Sequence, residues 1–239
     1  MAGSEYFKAK VYNIIDETKT IKRFQIEFPE MEKYEFKAGQ YIKIELPIED
    51  KKTYRQYSIA SEPIGDNKIE LLIVKAEYGK GTKYLFEDAK IGTDLQISKA
   101  LGRFLIPEVI TKEICFICTG VGLAPFRSMY LDILNKNKDN KGVNLIFGTR
   151  YKEDLCYPNE IYALQDKHPN FKYYPVLSRE TDNWDGDKGY VHKVYNEIYK
   201  DKHPALFYLC GWDEMIKEAR KSLIEMGYEK REILFEKYD

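Results

Sequence analysis

The segment RQYSIAS, Arg55 to Ser61, carries a cation, a large aromatic ring and two hydroxyls on what reads as one short strand. Sheet packing asks for Tyr57 or Ile59 there, but it has no use for Arg55 and Ser58 beside them. A flat, anionic ligand would use all three: a guanidinium fork for charge, a ring for stacking and a hydroxyl for a hydrogen bond. Two glycine-rich stretches carry related chemistry. In YGKGTKYL, Gly79 and Gly81 precede Thr82 where a helix is expected to start. In TGVGLAPF, Thr119, Gly120 and Gly122 lead from a strand into a helix whose first turn suits Pro125. Helix starts present free N–H groups to a phosphate. The second stretch lacks the third glycine of the dinucleotide fingerprint, and alone it reads equally well as an ordinary strand-to-helix turn. Two phosphate-type sites in different parts of one chain point to two nucleotides, and the obvious chemistry between two nucleotides is hydride transfer.

Such residues need a scaffold, and the 239 residues suffice for two modest domains. Residues 5 to about 106 alternate in short bursts such as YFKAKVYNII, TIKRFQIEF, GQYIKIELP and KIELLIVKAE, with turn residues between them. That pattern predicts an antiparallel β-barrel, with one helical turn at GTKYLFEDA. After Ile110 the pattern changes. Compact apolar strands (EICFICTG, GVNLIFGT, FKYYPVLS, ALFYLCG) alternate with helical segments, and EILFEKYD reads as a last strand. This predicts an α/β domain with a doubly wound parallel sheet. The division is placed at 1–108 and 109–239.

Composition removes several function classes. Lys+Arg 38 against Asp+Glu 39 leaves a net charge of −1, so no basic field invites nucleic acid. The N-terminal stretch has no apolar run of the secretory kind, and no apolar segment approaches membrane-spanning length. Cysteines at 115, 118, 156 and 210 form no disulfide framework, which makes a reducing cytoplasm the expected setting. Cys115 and Cys118 are three apart on a strand and should point to opposite faces, so buried thiols are expected and no metal site. His168, His192 and His203 form no ligand motif and read as surface turns.

Taken together, the motifs resemble those of the ferredoxin–NADP reductase superfamily, in family order and across nearly the whole chain. RQYS resembles its Arg-x-Tyr-Ser signature, GKGTKYL its Gly-x-Gly-Ser/Thr segment and TGVGLAPF its pyridine-nucleotide loop. YLCGWDEM resembles its Cys-Gly segment, and FEKY its terminal Glu-x-Tyr. KALGRF departs from the pattern, having Ala100 where the family usually has proline, and Asp239 follows the terminal tyrosine.

The resemblance implies FAD and NADP as cofactors. Arg55 would pair with the flavin pyrophosphate, aided by Gly79, Gly81 and Thr82. Gln56 and Tyr57 would bind the flavin, Tyr57 packing on its ring, and Ser58 would lie near N5, the hydride-accepting atom. Thr119, Gly120, Gly122 and Pro125 would form the pyridine-nucleotide loop. Cys210 with Gly211 would sit at the nicotinamide, while Glu236 and Tyr238 would act there as carboxylate and covering ring. Ser178 and Arg179, with Arg150 and Lys188 as further cations, resemble the residues of members that accept the 2′-phosphate of NADPH, whereas a carboxylate would favour NAD. The implied activity is hydride transfer from NADPH to FAD, then single-electron transfer to a separate redox protein, ferredoxin or flavodoxin. No fused iron–sulfur or haem motif is present, and a monomer is expected. Two other readings stand beside it: an NADH-dependent reductase component of an oxygenase, and a nucleotide-binding regulatory subunit without turnover.

Overall fold

The computed structural model describes residues 5–48, 52–179 and 184–238; Asp239 lies outside them. The chain divides into two compact units, Met1–Ile106 with Ala124–Asp132, and Pro107–Leu123 with Ile133–Asp239.

The first unit contains β1 (Tyr6–Asp16), β2 (Ile21–Glu27), β3 (Tyr41–Leu46), β4 (Thr53–Ser58), β5 (Lys68–Val74) and β6 (Asp94–Ser98). They form one antiparallel sheet in the order β4-β3-β6-β1-β2-β5. Period-two alternation sets the inward face: Ile42, Ile44 and Leu46 of β3 are buried while the residues between them are partly open. The sheet curls until its edges meet at one antiparallel bridge, Ile59 to Leu71, not along a continuous ladder. A short helix, α1 (Lys80–Glu87), turns Leu85 into the same core, where Phe86 tilts against Phe24. Burying each such large apolar side chain contributes about 1.5–3 kcal/mol.

The second unit is built on β7 (Glu113–Thr119), β8 (Val143–Thr149), β9 (Phe171–Leu177), β10 (Asp187–Lys188), β11 (Ala205–Gly211) and β12 (Ile233–Lys237). Its helices are α3 (Pro158–Lys167), α4 (Val191–Ile198) and α5 (Asp213–Glu225), while α2 (Leu123–Asn135) leaves β7 and is shared between the units. All strand pairs are parallel, in the order β10-β9-β8-β7-β11-β12. Strands β7 and β11 are nearly continuous apolar runs, as expected for a parallel sheet covered on both faces. From β7 the chain steps outward to β8, β9 and β10, then returns to place β11 on the other side of β7. The strand order therefore reverses between β7 and β11, and in open α/β sheets ligands bind outside the carboxyl ends at such a reversal.

The two-residue β10 is not legible in the sequence, because its polar surroundings show no apolar run. His192 lies in α4 and not in a turn, where its Nε2 is 2.9 Å from Glu218 Oε2. All four cysteines are free and buried. Among the described residues, no helix is long and apolar enough to cross a membrane.

Candidate functional site

The barrel unit brings Arg55, Tyr57 and α1 together. In the β3–β4 ladder Arg55 pairs with Ile44, Tyr57 with Ile42 and Ser58 with Tyr41. Alternation puts Arg55 and Tyr57 on the inward pleat, and Gln56 with Ser58 on the other. Gln56 is exposed, whereas Ser58 is only 5% exposed. The stem of Arg55 runs beside α1, where a Cβ on Gly81 would lie 3.0 Å from Arg55 Cγ and 3.0 Å from Leu46 Cδ1. A side chain at position 81 would have to push the Arg55 stem or Leu46 aside by a few tenths of an ångström.

That helix start is chemically open. Gly79 is its N-cap, no side chain caps it, and no acidic residue occupies its first turn. The Thr82 hydroxyl is engaged in shaping the loop: it accepts from the Ala76 N–H at 3.1 Å and donates to the Gly79 carbonyl at 3.1 Å. A helix start with no side-chain cap beside an arginine suits an anion of pyrophosphate type. Tyr57 is half-buried, and its hydroxyl is buried without a hydrogen-bond partner among the described residues. Burial pushes its pKa up to about 12, with the Arg55 charge acting in the opposite direction. An orphaned buried hydroxyl next to an arginine and an uncapped helix fits a bound flavin nucleotide.

In the α/β unit, the strand reversal gathers the second set. Thr119 ends β7, and its Oγ1 accepts from the Trp212 N–H at 3.1 Å. A Cβ on Gly122 would strike the Cys210 carbonyl, and one on Gly211, at φ +126°, would strike Thr119. The ends of β7 and β11 therefore pack backbone to backbone. Gly120 has φ +54° and nothing within 4 Å of a Cβ position, which leaves its outer side free for close approach by a ligand. Pro125 is buried in the first turn of α2.

Cys210 is the register partner of Cys118 on one side and of Glu236 on the other, and the Tyr238 N–H donates to the Gly211 carbonyl at 3.3 Å. Burial pushes the Cys210 thiol well above the ordinary range; the Glu236 charge adds to this, and hydrogen bonds with Tyr238 and the Gly211 backbone oppose it. Thiol, carboxylate and phenol thus meet at one strand end.

The cations gather elsewhere on the same carboxyl edge. The Ser178 N–H and hydroxyl donate to the Thr149 carbonyl at 3.0 and 3.2 Å, and the Arg179 N–H donates to the Arg150 carbonyl at 3.0 Å. This extends the β8–β9 pairing past the strands and sets exposed Arg150 and Arg179 side by side. Lys188, paired with Leu177, reaches the same edge. From β11 to β9 is three strand spacings, about 14 Å. The Cys210 end of β11 and the Arg150–Arg179 group are therefore well apart along this edge.

Sequence reasoning missed Arg127 and Glu70. Arg127 Nη1 donates to the Ala60 carbonyl at 2.9 Å and lies 3.3 Å from Glu70 Oε1, while Gln25 donates to Glu70 Oε2 at 2.7 Å. A charged residue in KIELLIVK gives no sequence sign of being buried.

Both parts of the chain match known protein families. Residues 8–106 match the family described as oxidoreductase FAD-binding domain, and residues 116–221 the one described as oxidoreductase NAD-binding domain. The phenol hydroxylase P5 protein of Acinetobacter pittii is 34% identical over 241 residues, which span 97% of this chain but only 65% of that protein. Ferredoxin–NADP reductase B of Sorangium cellulosum is 29% identical over 247 residues, 100% of both chains. A ferredoxin NADP+ reductase from Neisseria gonorrhoeae, crystallised with bound FAD and NADP, superposes with a TM-score of 0.82 at 26% identity, covering 98% of this chain and 99% of that one. Fold and matches define an oxidoreductase with an FAD-binding barrel and an NAD(P)-binding α/β domain. The chain belongs to the ferredoxin–NADP reductase superfamily.

Proposed function

We propose that this protein is an NADPH-dependent flavin reductase that passes electrons to a separate redox protein of the ferredoxin or flavodoxin class. The observation that carries the reading is the meeting of Arg55 with the uncapped start of α1 beside the orphaned Tyr57 hydroxyl. Residues 1–108 serve as the flavin domain and 109–239 as the nicotinamide domain. Bound FAD supplies the ability to take two electrons as hydride and release them one at a time.

The chain's own groups bind and orient. Arg55 and the first-turn N–H groups of Gly81 and Thr82 hold the pyrophosphate, with the Thr82 side chain keeping the loop in shape. Tyr57 lies against the ring and Ser58 presents a hydroxyl to it, while Gln56, on the exposed pleat, contributes at the periphery. Gly120 and Gly122 let the dinucleotide approach the backbone, with Thr119 and Pro125 fixing that turn. Cys210 acts as a neutral thiol that shapes the nicotinamide position, and Gly211, Glu236 and Tyr238 frame it. Arg179, Arg150 and Ser178 receive the 2′-phosphate, where a planar guanidinium is well matched to phosphate oxygens.

A reducing cytoplasm fits the four free, buried thiols. A second reading, an NADH-dependent reductase for an oxygenase, is favoured by the 34% identity to the phenol hydroxylase P5 protein. Steady-state turnover with purified ferredoxin, flavodoxin and oxygenase components decides between them. Highest kcat/KM for NADPH with ferredoxin or flavodoxin is expected; turnover confined to NADH with an oxygenase component would replace the first reading by the second.

A further inference from the structure

Glu70 is a carboxylate with only 7% exposure in the wall of the barrel unit. Its neighbours are Arg127 Nη1 at 3.3 Å, Gln25 Nε2 at 2.7 Å and, farther off, Arg23 Nη1 at 3.9 Å. Arg127 comes from α2, just past its first turn, and Ala124–Asp132 belongs to the same compact unit as the barrel. The same Nη1 donates to the Ala60 carbonyl at 2.9 Å. Ala60 is held from its other side as well, since its N–H donates to the Glu70 carbonyl at 2.8 Å. One residue earlier, the Ile59 N–H donates to the Gln40 carbonyl at 3.0 Å. The backbone directly beyond Ser58 is thus fixed by β5 and by the Arg127 guanidinium from α2, whose side chain is 12% exposed.

We propose that Arg127 is a positioning residue: through Ala60 and Glu70 it locks the strand end that presents the Ser58 hydroxyl. Buried ion pairs add little net stability compared with apolar replacements, yet they can fix one geometry. Here the geometry that matters is at Ser58, so the inference rests on the flavin reductase reading above. A lysine would bring a point charge without the planar fork and would hold the carbonyl and the carboxylate less well together.

The test uses the purified holoprotein and two variants, Arg127→Lys and the double variant Arg127→Met with Glu70→Gln, which leaves no buried carboxylate short of its cation. Two quantities are read: amide hydrogen exchange at Ile59 and Ala60, and the limiting rate of flavin reduction by NADPH with its apparent Kd. The double variant should keep its FAD and its Tm, exchange Ala60 at least about 10-fold faster, and reduce its flavin roughly 10–100-fold more slowly. Its apparent Kd for NADPH should stay within about twofold, because no cofactor contact is removed. Arg127→Lys should fall between the double variant and wild type in both readouts. Wild-type exchange and reduction in both variants would overturn the proposal, as would a change confined to NADPH affinity. If the wild type itself were not reduced by NADPH, the reductase reading would fail, while Ala60 exchange would still decide the clamp.

Discussion

Cys210 and Glu236 are register partners across the parallel β11–β12 ladder, which sets a buried thiol beside a carboxylate at the strand end where the sheet order reverses. Burial, reinforced by the Glu236 charge, raises the thiol pKa, so Cys210 stays protonated from mildly acidic to mildly alkaline pH. A buried, neutral sulfur at that strand end offers shape and not thiolate chemistry. Cys115 and Cys118 are shifted in the same direction, also chiefly by burial. Native protein should resist iodoacetamide, with all four thiols labelled only after denaturation. Rapid labelling of Cys210 in the native state would contradict its buried, neutral character.

Arg55→Ala removes the guanidinium that lies along Gly81. A charge-assisted hydrogen bond contributes about 1.5–3 kcal/mol net, so FAD affinity should fall roughly 10–100-fold. Fluorescence titration of apoprotein with FAD measures this directly. Unchanged affinity would remove Arg55 from the pyrophosphate site.

Tyr57→Phe deletes a buried hydroxyl that has no hydrogen-bond partner among the described residues. Leaving such a group unpaired costs about 1–3 kcal/mol, so the apoprotein variant should unfold at higher urea than wild-type apoprotein. With FAD saturating, the advantage should shrink or reverse, because the hydroxyl then has its partner. An equal gain with and without FAD would place the hydroxyl outside the flavin site.

Much of this was legible in the sequence, for identifiable reasons. Strand alternation in GQYIKIELP and the apolar runs of EICFICTG and ALFYLCG follow directly from one-sided and two-sided burial, and both sheets match those patterns. The glycines of TGVG could be read as a tight approach, although only the structure shows that Gly122 packs on the Cys210 carbonyl. What stayed hidden depends on long-range pairing. Glu70 occupies a strand whose five central residues are all buried, so alternation fails there. Its partner Arg127 lies 57 positions away, beyond the reach of local periodicity. The Thr82 hydroxyl is engaged with Ala76 and Gly79, a loop geometry that spacing does not reveal.

Arg179→Ala tests the choice of nicotinamide. Losing a guanidinium–phosphate contact of about 1.5–3 kcal/mol should lower kcat/KM for NADPH roughly 10–100-fold, mostly through KM, since the phosphate is remote from the reacting carbon. NADH lacks that phosphate, so its kcat/KM should barely move. Equal losses with both cofactors, or a wild type that already prefers NADH, would overturn the NADPH assignment and leave the flavin reductase reading standing.

Anaerobic addition of NADPH to the purified protein, followed through the visible absorbance of its flavin, tests the central claim most directly. Non-covalently held FAD should copurify and bleach in a single rapid phase, faster with NADPH than with NADH. Air should then restore the oxidised spectrum. Protein that carries FAD yet keeps its full absorbance with either cofactor would contradict the reductase function and leave nucleotide binding without turnover.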